Sequence, residues 1–274
     1  MVNNSTISAA VSMSGLQQRL DIIADNIANM NTDGYKSKQG SFEDVLTAVQ
    51  QQADDYKQPG RSTPSGFNIG FGTYVPLVKT SWEAGPLKET GNPTDLALQG
   101  NGLFGVQVNG ARAYTRQGDF HFTPDTADAK RMVLVDNTGN PVLNKEGKPL
   151  TVPVGVSAAI DESGRVLTKK TENGPVQVAG TIMIVEPKTQ NALKAVDGNF
   201  YMLADGVTAQ QAFVQRAAGE ASGIGVRSGW LEQSNVDMTS EMTEMMQIQR
   251  TYQLVARALS SSDQMFGLAN NMRA

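Results

Sequence analysis

All 11 prolines of this 274-residue chain lie between Pro59 and Pro187, so both ends lack the residue that most strongly interrupts helices. Glycine follows the same distribution: three precede Gly60, one follows Gly229, and the other 23 lie between. Glycine is also costly inside a helix, and both residues punctuate turns. The ends therefore read as helix and the middle as strands and turns. The expected fold class is α+β, a β-rich central domain flanked by N- and C-terminal coiled-coil helices that pack together.

The two ends carry matching seams. Ala9, Met13, Leu16, Leu20, Ile23, Ile27 and Met30 recur alternately four and three residues apart, which is an a/d heptad pattern. It stops at Asn31-Thr32-Asp33-Gly34, where Gly34 can take the left-handed conformation that ends helices. Near the other end Met238, Met242, Met245, Ile248, Tyr252, Val255, Leu259, Phe266 and Ala269 fall on one stripe, with Asn235 or Asp237 available as the N-cap. About 35 helical residues there would span roughly 50 Å.

Between the seams the pattern is β. Asp95 to Gln99 and Val106 to Val108 are short runs followed by Asn101-Gly102 and Asn109-Gly110, pairs that favour hairpin turns. Met132 to Val135, Val152 to Ile160, Arg165 to Thr168, Val176 to Val178 and Thr181 to Val185 continue the series. Residues 39–80 differ: a polar stretch and then one rich in Gly, Pro and Ser read as an extended linker or hairpin arm. The chain thus divides into an N-terminal helix (1–38), that arm, a central β-rich domain (81–228) and a C-terminal helix (229–274).

An apolar stripe in water needs cover, and burying one Leu or Ile contributes about 1.5–3 kcal/mol. Pairing the two terminal helices covers only part of what they carry. Ile7, Val11 and Ile22 on the first helix and Met246, Leu254 and Leu268 on the second lie off the main seams. Six of the 12 methionines fall within the last 37 residues, and methionine suits a surface that meets several slightly different neighbours. A helix core that happens to use Met explains the same count equally well. The expectation is self-association through the seam positions Met13 to Met30 and Met238 to Phe266, together with Asn26 and Asn29. These short amides near the helix end can hydrogen-bond nearby backbone and fix how the chain leaves the helix.

Other classes are disfavoured. A net charge of −4 without a basic run argues against nucleic acid or anionic lipid as partner. The absence of cysteine removes disulfides and thiolate chemistry. The sequence from Met1 to Ser12 does not look like a signal peptide, and no stretch approaches a membrane span. Gly100-Asn101-Gly102-Leu103-Phe104-Gly105 fits a G-x-G-x-x-G string, yet a strand rather than a helix is expected after it, so no dinucleotide site is assigned. His121 is the lone histidine, on an alternating strand pattern. Asp136-Asn137-Thr138-Gly139-Asn140 lacks the later glutamate of a calcium loop, and a turn explains it better. No catalytic residue, metal or cofactor is expected.

Specific motifs then narrow the field. Asp25-Asn26-Ile27-Ala28-Asn29, Asn31-Thr32 and Gly34-Tyr35-Lys36 resemble the N-terminal signature of bacterial flagellar rod and hook proteins. Thr90 to Gly100, Ala113 to Phe120 (AYTRQGDF), Gly229 to Val236 (GWLEQSNV), and Glu241-Met242 with Gln249 to Tyr252 are similar to the same family, in the same order. Length favours the distal-rod type, including the Gram-positive rod proteins. The resemblance implies a torque-transmitting tube of copies of this chain and other rod or hook subunits, with the helices as inner coiled coils. It also implies a place in the flagellar basal body outside the cytoplasmic membrane, reached through the flagellar type III export apparatus. A hook or hook-junction subunit is the near alternative, and a secreted β-rich binding protein the distant one.

Overall fold

The computed structural model describes residues 2–272 apart from 41–42, 45–46, 52–65, 71–72, 75–77, 126–127, 170–174, 190–191, 197–198, 205 and 217–223. It is α+β, with a long helix at each end and a β-rich middle. The chain divides into two compact units. Unit 1 collects residues 1–28, 38–81 and 237–274, and unit 2 collects 29–37 and 82–236.

In unit 1, α1 (Val2–Ala28) packs on α3 (Met238–Asn271) along a shared apolar seam. No glycine or proline interrupts the 34-residue α3 before Gly267, and 34 residues rise about 50 Å. Asp237 starts it: its Oδ1 accepts the Thr239 backbone N–H at 3.1 Å. The expected end of α1 needs correction. The last helical residue is Ala28, and Asn29 and Met30 lie in the turn that follows, so Met30 drops out of the seam. Gly34 is left-handed (φ +71°) as expected, but it shapes that turn instead of closing the helix.

The rest of unit 1 is a run of nested antiparallel pairs. β1 (Lys38–Gly40) pairs with β6 (Val78–Thr80), β2 (Glu43–Asp44) with β5 (Thr73–Tyr74), and β3 (Thr47–Gln51) with β4 (Gly66–Gly70). From Gly40↔Val78 to Glu43↔Tyr74 the return limb spends one residue more than the outgoing limb.

Unit 2 is closed by pairing its two ends: β7 (Leu87–Glu89) with β22 (Trp230–Glu232), and β8 (Leu96–Gln99) with β21 (Gly225–Ser228). A six-stranded sheet runs β18 (Leu193–Val196), β19 (Phe200–Leu203), β10 (Ala111–Thr115), β9 (Leu103–Val108), β17 (Ile184–Pro187) and β20 (Phe213–Arg216), with the short helix α2 (Ala209–Ala212) before β20. Two three-stranded sheets follow, β11 (His121–Pro124), β12 (Arg131–Val135), β13 (Thr151–Pro153) and β14 (Ser157–Ile160), β15 (Arg165–Lys169), β16 (Gln177–Thr181). The main core lies among them, with Leu96, Phe104, Val106, Leu134, Val142 and Val166 fully enclosed.

The same dipeptide signal has two different outcomes. Asn109 and Gly110 both take positive φ (50° and 81°) and join β9 to β10 as the mirror-image turn that hairpins prefer. Asn101-Gly102 makes no hairpin, because β8 leaves to pair with β21. The run from Val152 to Ile160 is not one strand either; it breaks near Gly155 (φ +83°) into β13 and β14, which belong to different sheets.

Candidate assembly surface

Leu16, Ile23 and Ile248 form the buried centre of the α1–α3 seam, flanked by half-buried Leu20, Ile27, Met245, Tyr252 and Val255. Every member of this cluster is a seam residue expected from periodicity. Met13 and Leu259 are half-buried outside it, whereas Met238 and Met242 are exposed. Phe266 lies on α3 with its side chain outside the described part. Of the off-seam apolar residues, Ile22 is buried, but Met246, Leu254 and Leu268 are uncovered, Leu254 being 63% exposed. On the same helix Thr243, Thr251 and Ser260 donate to carbonyls four residues back (Thr239, Gln247 and Ala256), so these exposed hydroxyls are satisfied internally.

Polar pairs beside the seam fix its register. Asn26 is buried, and its side chain treats the main chain of Lys38 as a strand neighbour would. Its Oδ1 accepts the Lys38 N–H at 2.8 Å and its Nδ2 donates to the Lys38 carbonyl at 2.9 Å. The same Nδ2 reaches Glu241 Oε1 at 2.9 Å, which links α1, the hairpin base and α3 through one residue. Arg19 repeats the pattern further along the helix, donating to the Gly40 carbonyl at 2.6 Å and to the Glu244 carboxylate. Lys38 Nζ also pairs with Asp25 at 2.5 Å. Glu241 Oε2 is enclosed without a hydrogen-bond partner, and burial pushes the Glu241 carboxyl above its ordinary value, with Glu244 and Asp237 adding to the effect against Asn26 and Arg19.

Unit 2 has a different centre, whose three charged side chains all come from the sequence motifs. Glu232 is almost enclosed (side chain 1% exposed) and accepts three hydrogen bonds: from Lys36 Nζ at 2.6 Å, from Arg116 Nε at 2.5 Å and from the Gly85 N–H at 2.9 Å. Lys36 donates further to the Glu83 carbonyl at 2.6 Å, and Arg116 to the carbonyls of Gly102 at 2.5 Å and Leu98 at 2.7 Å. Burial pushes the Glu232 carboxyl up, but the Arg116 and Lys36 charges outweigh it and hold it below its ordinary value. Around this cluster the motifs bond to each other. The Gly34 N–H donates to the Glu232 carbonyl at 2.6 Å, Ser37 N–H to Asn235 Oδ1 at 2.7 Å, Leu96 N–H to the Gly118 carbonyl at 2.9 Å and Gly229 N–H to the Asp95 carbonyl at 2.8 Å. Gly118 must be glycine, since a Cβ there would overlap the Leu96 carbonyl oxygen. In the sequence Lys36, Arg116 and Glu232 stand inside motifs without any sign that they meet. For Arg116 and Glu232 the signal that could have singled them out is a charge with only uncharged residues on either side (AYTRQG, GWLEQSNV); Lys36, between Asp33 and Lys38, carries no such signal.

The motifs to which no site was assigned have structural places. β9 begins at Leu103, inside the Gly100–Gly105 string, so a strand and not a helix continues it, and His121 is exposed on β11. Asp136 is buried, and its carboxylate is used within its own turn by Thr138 and Asn140. No helix among the described residues is long and apolar enough to cross a membrane.

Paired terminal helices with an uncovered apolar face, together with a β-rich unit organised around a buried charge cluster, define a class of structural subunit. Three stretches match known families: residues 8–36 the flagella basal body rod protein family, 97–168 the flagellar hook protein FlgE/F/G D1 domain, and 227–272 the flagellar basal body rod FlgEFG protein C-terminal region. Over nearly their full lengths the chain is similar to whole proteins. It is 30% identical to the flagellar hook-basal body complex protein FlhP of Bacillus subtilis, over 98% of this chain and 99% of that protein. It is 31% identical to the flagellar basal-body rod protein FlgG of Borreliella burgdorferi, over 97% of each, and to FlgG of B. subtilis, over 98% of each. The chain belongs to the flagellar basal-body rod protein family.

Proposed function

We propose that this protein is a structural subunit of the bacterial flagellar basal-body rod, of the distal-rod type. It joins copies of itself and other rod or hook subunits in a tube that transmits torque. The observation that carries this reading is the uncovered apolar side of α3. Met242, Met246, Leu254, Met265 and Leu268 remain in water after α1 has taken the seam. Neighbouring helices would cover them in coiled-coil fashion, and the seam then positions this second surface. In this reading the assigned residues have two roles. The seam and Asn26 shape the helix pair, and exposed Met238 and Met242 face neighbours. Residues 39–80 serve as an arm beside the helices, with 81–228 as the β domain. Export proceeds through the flagellar type III apparatus, and no catalytic role is assigned.

The test uses residues that the isolated chain does not need. Met246→Asp with Leu254→Asp alters two side chains more than half exposed, so the thermal midpoint of the purified protein stays within about 2 °C of wild type, as expected of surface changes. Cells carrying only the double variant fail to swim and yield basal bodies with incomplete rods. Normal swimming with normal filaments refutes the assignment of this face.

A further inference from the structure

Unit 2 contains a cleft that neither the charge cluster nor the helix seam uses. Its volume is about 530 Å³, within the range of small-ligand sites. Met183, Val185 and Phe213 supply an apolar floor, and Tyr114 packs against Phe213 with ring centroids 4.3 Å apart and the rings tilted by 49°. The rim is cationic: Arg112, Lys145 and Lys188 face one acid, Glu146, which pairs with Lys148 outside the cleft lining. Lys188 Nζ is steered by the Gln210 carbonyl at 3.0 Å. The Arg112 guanidinium lies over Gly147. Neither Arg112 nor Lys188 has a carboxylate partner among the described residues.

A second, independent observation is Tyr114 itself. It is 3% exposed and lines the cleft, and its hydroxyl is not one of the enclosed polar atoms left without a partner, so the polar tip is available at the cleft wall. Here a donor hydroxyl, a guanidinium and an ammonium surround an apolar floor.

We propose that this cleft binds a carboxylate carried beside an aromatic or branched apolar group. The carboxylate would lie on Arg112 and the Tyr114 hydroxyl with Lys188 near, and the apolar body on Met183, Val185 and Phe213. A free acylated amino acid and the C-terminus of a polypeptide share this chemistry. The planar fork of arginine suits a carboxylate better than a lone spherical anion, and the floor would add nothing for an anion without an apolar body.

The experiment titrates the full-length protein, followed by its amide ¹H–¹⁵N shifts, with four probes: N-acetylphenylalanine, its uncharged amide, inorganic phosphate, and an acetylated tetrapeptide ending in phenylalanine with a free carboxylate. The two phenylalanine carboxylates bind with dissociation constants on the order of a millimolar or below, as a ligand of this size allows. Phosphate and the amide bind at least about tenfold more weakly, as expected when one half of the recognition is missing. Tighter binding of the tetrapeptide points to a chain terminus as the source, and tighter binding of the free acid to a small molecule. Arg112→Met weakens both acids on the order of tenfold, and Tyr114→Phe, which deletes only the hydroxyl, on the order of fivefold. The proposal is overturned if neither acid binds, if phosphate or the amide binds as well as the acids, or if both variants bind like wild type.

Discussion

Replacing Glu232 with Gln keeps the shape of the side chain and removes the one negative charge that holds Lys36 and Arg116 inside unit 2. Their side chains are 2% and 4% exposed, so water cannot take over the lost interaction. Taking one partner from a buried pair costs about 3–5 kcal/mol, because the remaining charge stays buried and uncompensated. The hydrogen bonds point the same way. Glu232 accepts three, and the amide of Gln offers one acceptor atom where the carboxylate offered two. Bonds to a charged group contribute roughly 1.5–3 kcal/mol each, so weakening two of them gives the same range. For a unit of this size the thermal midpoint falls by roughly 6–20 °C. Both tryptophans of the chain, Trp82 and Trp230, lie in unit 2, so urea unfolding followed by their fluorescence reports on that unit. Adding Lys36→Met to Glu232→Gln should cost less than Lys36→Met alone, since the pair is removed together. The acid side has a defined sign. The folded pKa of Glu232 is depressed, so its contribution is present above its ordinary value of 4.5 and disappears as pH falls through the folded value. A cost for Glu232→Gln below about 1 kcal/mol, or strictly additive costs in the double variant, would show that the cluster does not hold unit 2 together.

Two further outcomes concern unit 1. Asn26→Ala removes the amide that bonds both main-chain groups of Lys38 and the Glu241 carboxylate, and should lower the stability of the helix pair by about 2–3 kcal/mol, read from urea melts monitored at 222 nm; a change within about 0.5 kcal/mol of zero would rule the linkage out. The Glu241 carboxyl is raised above its ordinary 4.5, so the folded state holds that proton more tightly than the unfolded chain; its favourable effect is complete below that value and is lost as pH rises through the folded one. Glu241→Gln should therefore flatten the change in helix-pair midpoint between pH 4 and 7, and an unaltered pH profile would assign that dependence elsewhere.

What could be read from the sequence and what could not separate along one physical line. Periodic patterns are local, because a helix repeats its face every few residues and records that in any short window. Proline and glycine segregation placed α1 and α3, and the seam from Leu16 to Ile27 meets the stripe from Met245 to Val255 as the spacing required. Terminal turns are less constrained: Met30 continues the heptad in sequence, yet the main chain has already turned after Ala28. Asn101-Gly102 carries the same local preference as Asn109-Gly110, and what decides between them is the distant strand β21 that captures β8.

The buried charges lie at the far end of that line. Lys36 and Glu232 are 196 residues apart and Arg116 sits between them, so no window contains the interaction, and each charge by itself reads as a surface residue. Only in the folded unit does it emerge that the three motifs are one object, with the hydrogen bonds of the Glu232 carboxylate and the Arg116 guanidinium directed at another motif or its flank. That arrangement gives the motifs a physical reason that their order along the chain does not supply. A hydrophobic seam tolerates exchange of Leu for Met or Ile at small cost, whereas an enclosed carboxylate between two cations tolerates almost none. Sequence constraint should therefore be tightest at the charges and their glycines, and loosest along the helix faces. The division of labour follows: the β unit is specified by a few indispensable polar residues, and the helices by a repeated apolar pattern whose members are individually replaceable.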